Sequence, residues 1–145
     1  KGHVAVSVYP QLSGRYDIEA VKRYLAPLVV ACRRFPGTKW ISELGVNINW
    51  PAVVAIPLGT KPLHHAGVEF QRQIVEYVCG IRGLAGANYI MSIDSVGYAE
   101  AQRAKAKTQA ERDAAGFWAS LGLFDAEGVD RPAADVLRKA AARCT

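Results

Sequence analysis

The sequence predicts an α/β fold of three parallel strands with flanking helices. Three observations carry that expectation. Short β-type runs stand at residues 3–9, 39–45 and 87–94. Segments of helical apolar spacing lie between them, and strand–helix–strand is the parallel crossover unit. Two of the runs carry a carboxylate near their carboxyl ends, Glu43 and Asp94, where α/β proteins gather their sites.

The first run, His3-Val-Ala-Val-Ser-Val-Tyr9, alternates cleanly. Val4, Val6 and Val8 share one face, while Ala5, Ser7 and Tyr9 share the other. Branched residues suit packing against helices; small residues followed by Tyr suit a crowded interior that opens at its top. Pro10 ends the run. Asp17 is placed to cap a helix reaching about Phe35, with Ile18, Val21, Leu25, Leu28, Val29 and Cys32 at helical spacing. Pro27 lies inside that pattern and is expected to kink or divide it.

The second run, Lys39-Trp-Ile-Ser-Glu-Leu-Gly45, is bracketed by Pro36-Gly37 and Gly45. Trp40, Ile41 and Leu44 suit a buried pleat, which makes Glu43 the anomaly. A carboxylate there needs a cleft, an ion pair or hydrogen bonds, because an isolated buried charge is costly. Residues 45–63 make a long connection carrying Asn47, Asn49 and Trp50, and connections of this length at strand ends are usually functional. A helix follows over about 65–82, with Phe70, Ile74, Val78 and Ile81 on one stripe.

The third strand spans 87–94. Gly80, Gly83 and Gly86 precede it, whereas a dinucleotide-binding glycine motif follows its strand with different spacing. Thr108-Gln-Ala-Glu111 is a capping-box pattern for a helix reaching about Ser120, with Phe117, Trp118 and Leu121 directed to the core. After the turn-rich connector 122–128, Asp130 is expected to cap a last helix that tolerates Pro132 in its first turn.

A chain of 145 residues with 50% hydrophobic and 21% charged residues is long enough for one domain with a real core. No apolar run reaches the roughly 18 residues of a membrane span. The chain starts at Lys1 and enters a strand almost at once, so its natural N-terminus is expected upstream. The net charge of +5 permits an anionic partner. Its densest stretch, Arg103-Ala-Lys-Ala-Lys107, reads as a solvated helix face without the interleaved aromatics of a single-strand nucleic-acid groove. Cys32, Cys79 and Cys144 lack metal-ligand spacing. A Cys32–Cys79 disulfide is open but unforced. His64 and His65 read as loop surface, and neither metal nor cofactor is expected.

If the strands are adjacent, Tyr9, Glu43 and Asp94 converge on one rim, with Asn47, Trp50 and the His64-His65 pair in the intervening loop. A phenol beside a carboxylate can keep it ionised and oriented, as a nucleophile requires. Aromatics and amides around it suit sugar rings, which offer apolar faces and rows of hydroxyls. Trp50 reads equally as a sugar platform or a loop anchor; Trp40 and Trp118 read as core.

Val6-Ser-Val-Tyr-Pro10, Trp40-Ile-Ser-Glu-Leu-Gly45 and Tyr89-Ile-Met-Ser-Ile-Asp94 resemble, in order, the sixth, seventh and eighth strands of clan A retaining glycoside hydrolases. The connector Gly122-Leu-Phe-Asp-Ala-Glu-Gly128, followed by Arg131-Pro-Ala133, resembles the way those barrels run into their last helix. The likeness spans nearly the whole chain. It implies that residues 1–145 are the C-terminal part of a (β/α)₈ barrel. It also implies that Glu43 is the catalytic nucleophile, Tyr9 its hydrogen-bonding neighbour, and Ser92 and Asp94 part of the eighth-strand rim of the sugar site. An extracellular or cell-envelope setting fits the same resemblance.

Two departures stand beside it. Met91 occupies the place where that family carries a sugar-stacking Trp. The family's acid/base Glu belongs to a fourth strand, which this chain does not contain. Retaining hydrolysis needs two carboxyls about 5–5.5 Å apart. Three strands also leave two open parallel edges, which natural folds cover. The implied partners are therefore a carbohydrate substrate and the remaining N-terminal part of the barrel, in the same or a separate chain, with no nucleic acid and no membrane span. The alternatives are a non-catalytic carbohydrate-binding barrel of the same ancestry and, on net charge alone, a basic domain for an anionic polymer.

Overall fold

In the computed structural model, which describes residues 2–10, 15, 17–48, 67–90 and 93–142, three strands form one parallel sheet. They are β1 (His3–Val8), β2 (Thr38–Leu44) and β3 (Gly86–Tyr89), in the order β1–β2–β3. Helix α1 (Ile18–Arg34) joins the first pair and α2 (Gly67–Cys79) precedes the third strand. Successive right-handed crossovers that advance in one direction put their helices on one face of the sheet. The packing agrees. Val8, Ile41, Leu44 and Val46 share a core with Val21 and Leu25 of α1 and Phe70, Ile74, Val75 and Val78 of α2. Ala133 and Ala134 of α5 (Pro132–Ala141) join the same cluster.

The opposite face is open. Ala5, Ser7, Trp40, Glu43 and Asn88 are all exposed. Trp40, expected in the core, is instead 39% exposed. Its ring lies across Gly86, where a Cβ would come within 2.9 Å of Trp40 Cε3. It thus fills the notch left by a residue without a side chain on the uncovered side of the sheet.

Helix α1 begins at its Asp17 cap, whose Oδ1 accepts from Ala20 N at 2.7 Å. It runs unbroken through Pro27, so the expected division does not occur. An internal proline costs about 3 kcal/mol. Val21 and Leu25 before it join the core shared with the sheet, and buried Cys32 after it lies against Gly83, while Glu19 and the Arg33–Arg34 pair complement the helix dipole. Cys32 remains a buried free thiol, so the Cys32–Cys79 bridge is not formed.

Beyond β3 the chain departs from the simpler expectation. The third strand stops at Tyr89, and Ile93 makes only an isolated bridge to Phe124. The polar stretch after it is a full helix, α3 (Val96–Lys105), followed by α4 (Gln109–Ala115) and a 3₁₀ turn, Gly116–Ser120. The capping box at the start of α4 forms as its spacing predicts: Glu111 N donates to Thr108 Oγ1 at 3.2 Å, and Thr108 N donates to Glu111 Oε2 at 3.1 Å. Leu121 is buried, whereas Trp118 is only half-buried. Asp130 does not cap α5. Arg131 is the cap residue, and Asp130 pairs with Arg138, which holds its carboxyl below the usual range. Among the described residues no helix is long and apolar enough to cross a membrane.

Candidate active site

A register shift in the sheet decides where Glu43 points. Val6 pairs with Ile41, but the next residue, Ser7, pairs with Glu43, so Ser42 is the extra residue of a β-bulge. Strict alternation would put Glu43 on the same face as Ile41, against the helices. The bulge restores Leu44 to the buried face beside Val8 and turns Glu43 to the open one. Bulges are the usual means of re-aiming a side chain near a site. Ser42 Oγ lies 3.4 Å from Ser7 Oγ across the strand boundary.

Tyr9 closes this arrangement. Its hydroxyl donates to Glu43 Oε2 at 2.9 Å, joining the carboxyl ends of β1 and β2. The phenol pKa is pushed up to about 12, first by burial and then by the hydrogen bond to Glu43 and that residue's negative charge. Across the neutral range the phenol therefore keeps its proton and remains a donor. Its ring rests on Gly45: a Cβ there would fall 2.5 Å from Tyr9 Cε1 and 2.7 Å from Cδ1. The glycine that ends the second strand motif is the seat of the tyrosine.

The backbone just beyond is pinned from below. Val46 N donates to Tyr89 Oη at 3.3 Å, and the Tyr89 hydroxyl donates to Val46 O at 3.1 Å. Gln71, fully buried on α2, directs its amide nitrogen to Tyr89 Oη (2.8 Å), Gly122 O (2.9 Å) and Val46 O (3.2 Å). A polar residue on the apolar stripe of α2 was the signal in the sequence for this hub. Nothing local announced the Ser42 bulge, because a bulge depends on the partner strand.

The other residues expected at the site divide. Asn47 is completely buried and its Oδ1 accepts from Ser120 Oγ at 3.1 Å. There it ties the chain leaving β2 to the 3₁₀ turn. Asp94 is enclosed with Arg131, their side chains 6% and 9% exposed. Arg131 Nη1 donates to Asp94 Oδ1 at 3.1 Å, and Nη2 pairs with Oδ2. Gly122 N also donates to Oδ1 at 2.8 Å, and Arg131 Nη1 to Gly122 O at 2.6 Å. Both Asp94 oxygens are thus committed to a clamp between the β3 exit and α5. Asp94 stands in an enclosed ion pair and not on the open sheet face with Glu43. Trp50, Met91, Ser92, His64 and His65 lie outside the described residues.

A Cβ on Gly67 would collide with the carbonyl of Ile48, so the start of α2 lies against the backbone just beyond the carboxyl end of β2. Among the described residues, no group of three or more His, Cys, Asp or Glu side chains is placed to hold a metal ion. Chemically, the assembled site is one exposed carboxylate, oriented by a protonated phenol on an open sheet face.

No protein-family model matches the chain, and no curated protein matches it in sequence.

Proposed function

We propose that this chain supplies the nucleophile side of a retaining glycoside hydrolase centre, with Glu43 attacking the anomeric carbon. The observation that carries the reading is the 2.9 Å hydrogen bond from Tyr9 to Glu43 Oε2 at the ends of two adjacent parallel strands. The bond leaves Oε1 for the reaction and limits rotation of the carboxylate. In double displacement, a Glu43 oxygen forms an ester bond to the anomeric carbon as the glycosidic bond breaks. The departing oxygen takes a proton from an acid supplied by another segment. Water, deprotonated by that same group, then releases the sugar and regenerates the carboxylate.

The strand order also supports the proposal. A sheet that advances in one direction, helices on one face and the other face bare, is compatible with an arc of a (β/α)₈ barrel. The remaining strands would cover the free edges of β1 and β3 and bring the second carboxyl. Trp40 and Asn88 on the bare face would then point inward with Ser7.

Glu43→Gln in the complete protein tests the role. The amide keeps the shape and cannot form the glycosyl ester, so turnover is expected to vanish while oligosaccharide binding persists. Binding with no turnover in the wild-type protein would transfer the assignment to a carbohydrate-binding barrel.

A further inference from the structure

Helices α3 and α4 with the 3₁₀ turn form a groove of about 450 Å³, within the roughly 300–1,000 Å³ of small-molecule sites. Its walls follow helical spacing. Tyr98, Gln102 and Lys105 recur along one face of α3; Glu111, Ala114, Ala115 and Trp118 recur along the facing wall, and Ala106 and Lys107 close the turn between them. The groove is therefore polarised along its length. One end is aromatic: Tyr98 and Trp118 meet edge to face, 5.7 Å between centroids at 87°, forming a corner. The other end is charged. From Tyr98 to Lys105 the helix rises about 10 Å.

The charges at that end are not spent on one another. Among the described residues neither the Lys105 nor the Lys107 ammonium has an ion-pair partner. Glu111, the acidic group in the groove, accepts from the backbone N–H groups of Lys107 and Thr108, which hold its carboxyl below the usual range. Among the described side chains, two cations against one carboxylate already engaged with the backbone leave the end attractive to an anion. The stretch read from sequence as a plain solvated face thus puts two of its three cations on a groove wall.

The location adds a direction. Ser95 N donates to Trp118 O at 3.1 Å and Ile48 N to Ser120 O at 3.0 Å. These bonds fasten the groove-bearing segment to the chain leaving β2 and β3, at the end of the sheet that carries Glu43 and Tyr9.

We propose that this groove is an accessory subsite for an acidic saccharide. A ring packs in the Tyr98–Trp118 corner, and a uronate carboxylate roughly two rings' reach away is met by Lys105 and Lys107. The choice of a saccharide rests on the glycoside hydrolase reading; the preference for an anion rests on the groove alone.

The test is a titration of the full, ¹⁵N-labelled protein with trigalacturonate and with neutral galactotriose, following the indole N–H of Trp118. Trp118→Phe identifies that signal. Trigalacturonate is expected to shift it, with affinity at least tenfold above that of galactotriose. Raising salt from 0.1 M to 1 M should weaken binding as the screening length drops from about 10 Å to about 3 Å. Lys105→Gln/Lys107→Gln, both at exposed positions, should lose at least tenfold in affinity with the fold intact. Glu43→Gln should bind like wild type. No shift with trigalacturonate, equal affinity for the neutral trimer, or unchanged affinity in the double variant would overturn the subsite. Failure of the hydrolase reading has a separate signature: Trp118 responds as expected while Glu43→Gln leaves hydrolysis intact.

Discussion

The ring of Tyr9 lies directly on the backbone of Gly45, so close that a methyl group there would stand 2.5 Å from a ring carbon. Two residues upstream, Glu43 receives the Tyr9 hydroxyl at 2.9 Å. The hydrogen bond and its seat are therefore parts of one device: the strand that carries the carboxylate also carries the gap that its partner occupies.

Gly45→Ala should break that device without unfolding the sheet. Overpacking of this kind costs about 1–3 kcal/mol, and the ring must move to relieve it. Activity should drop toward the level of Tyr9→Phe, and adding Tyr9→Phe to Gly45→Ala should cost little more. Fully additive losses in the double variant would mean that Gly45 acts by another route.

Tyr9 ionisation gives a pH signature. Its folded pKa is raised above the ordinary tyrosine value of 10.0, to about 12. A group raised in this way contributes stability that is present in full below the unfolded pKa and is lost as pH rises through the folded one. The Tyr9 contribution should thus be flat through neutral pH and decline between about 10 and 12. Ultraviolet titration of wild type against Tyr9→Phe checks this, since the difference should show one phenol ionising well above the ordinary value. A difference midpoint at or below 10 would remove the bond as a feature in solution.

The Asp94–Arg131 clamp predicts a stability effect distinct from catalysis. Breaking a buried pair by removing one partner typically costs about 3–5 kcal/mol, because the other charge is left uncompensated. Urea denaturation of Asp94→Leu and Arg131→Met should show losses of that order. The double replacement should recover much of each loss, since no lone charge remains. Independent, additive losses would show that the two residues do not act as a pair.

Much of this arrangement was legible from residue order. Periodicity located three strands and the helices packed on them, and the Asp17 cap and the Thr108–Glu111 box formed as their local chemistry requires. Placement of Tyr9 and Glu43 at neighbouring strand ends was legible for the same reason. What stayed hidden depends on partners distant in sequence. The extra residue at Ser42 exists only relative to Ser7 on another strand. Trp40 looked like core because of its type, yet its exposure follows from which sheet face the helices cover. The pairing of Asp94 with Arg131 was hidden because the two stand 37 positions apart.

The most direct measurement is covalent capture of the nucleophile. A mechanism-based fluorosugar should label Glu43 in the complete protein and add the mass of one glycosyl unit to its peptide. Glu43→Gln should show no label and at least about a thousandfold lower turnover, whereas Tyr9→Phe, which removes only the orienting group, should lose about 10–100-fold. Label on another carboxylate, or near wild-type hydrolysis by Glu43→Gln, would contradict the assignment of Glu43.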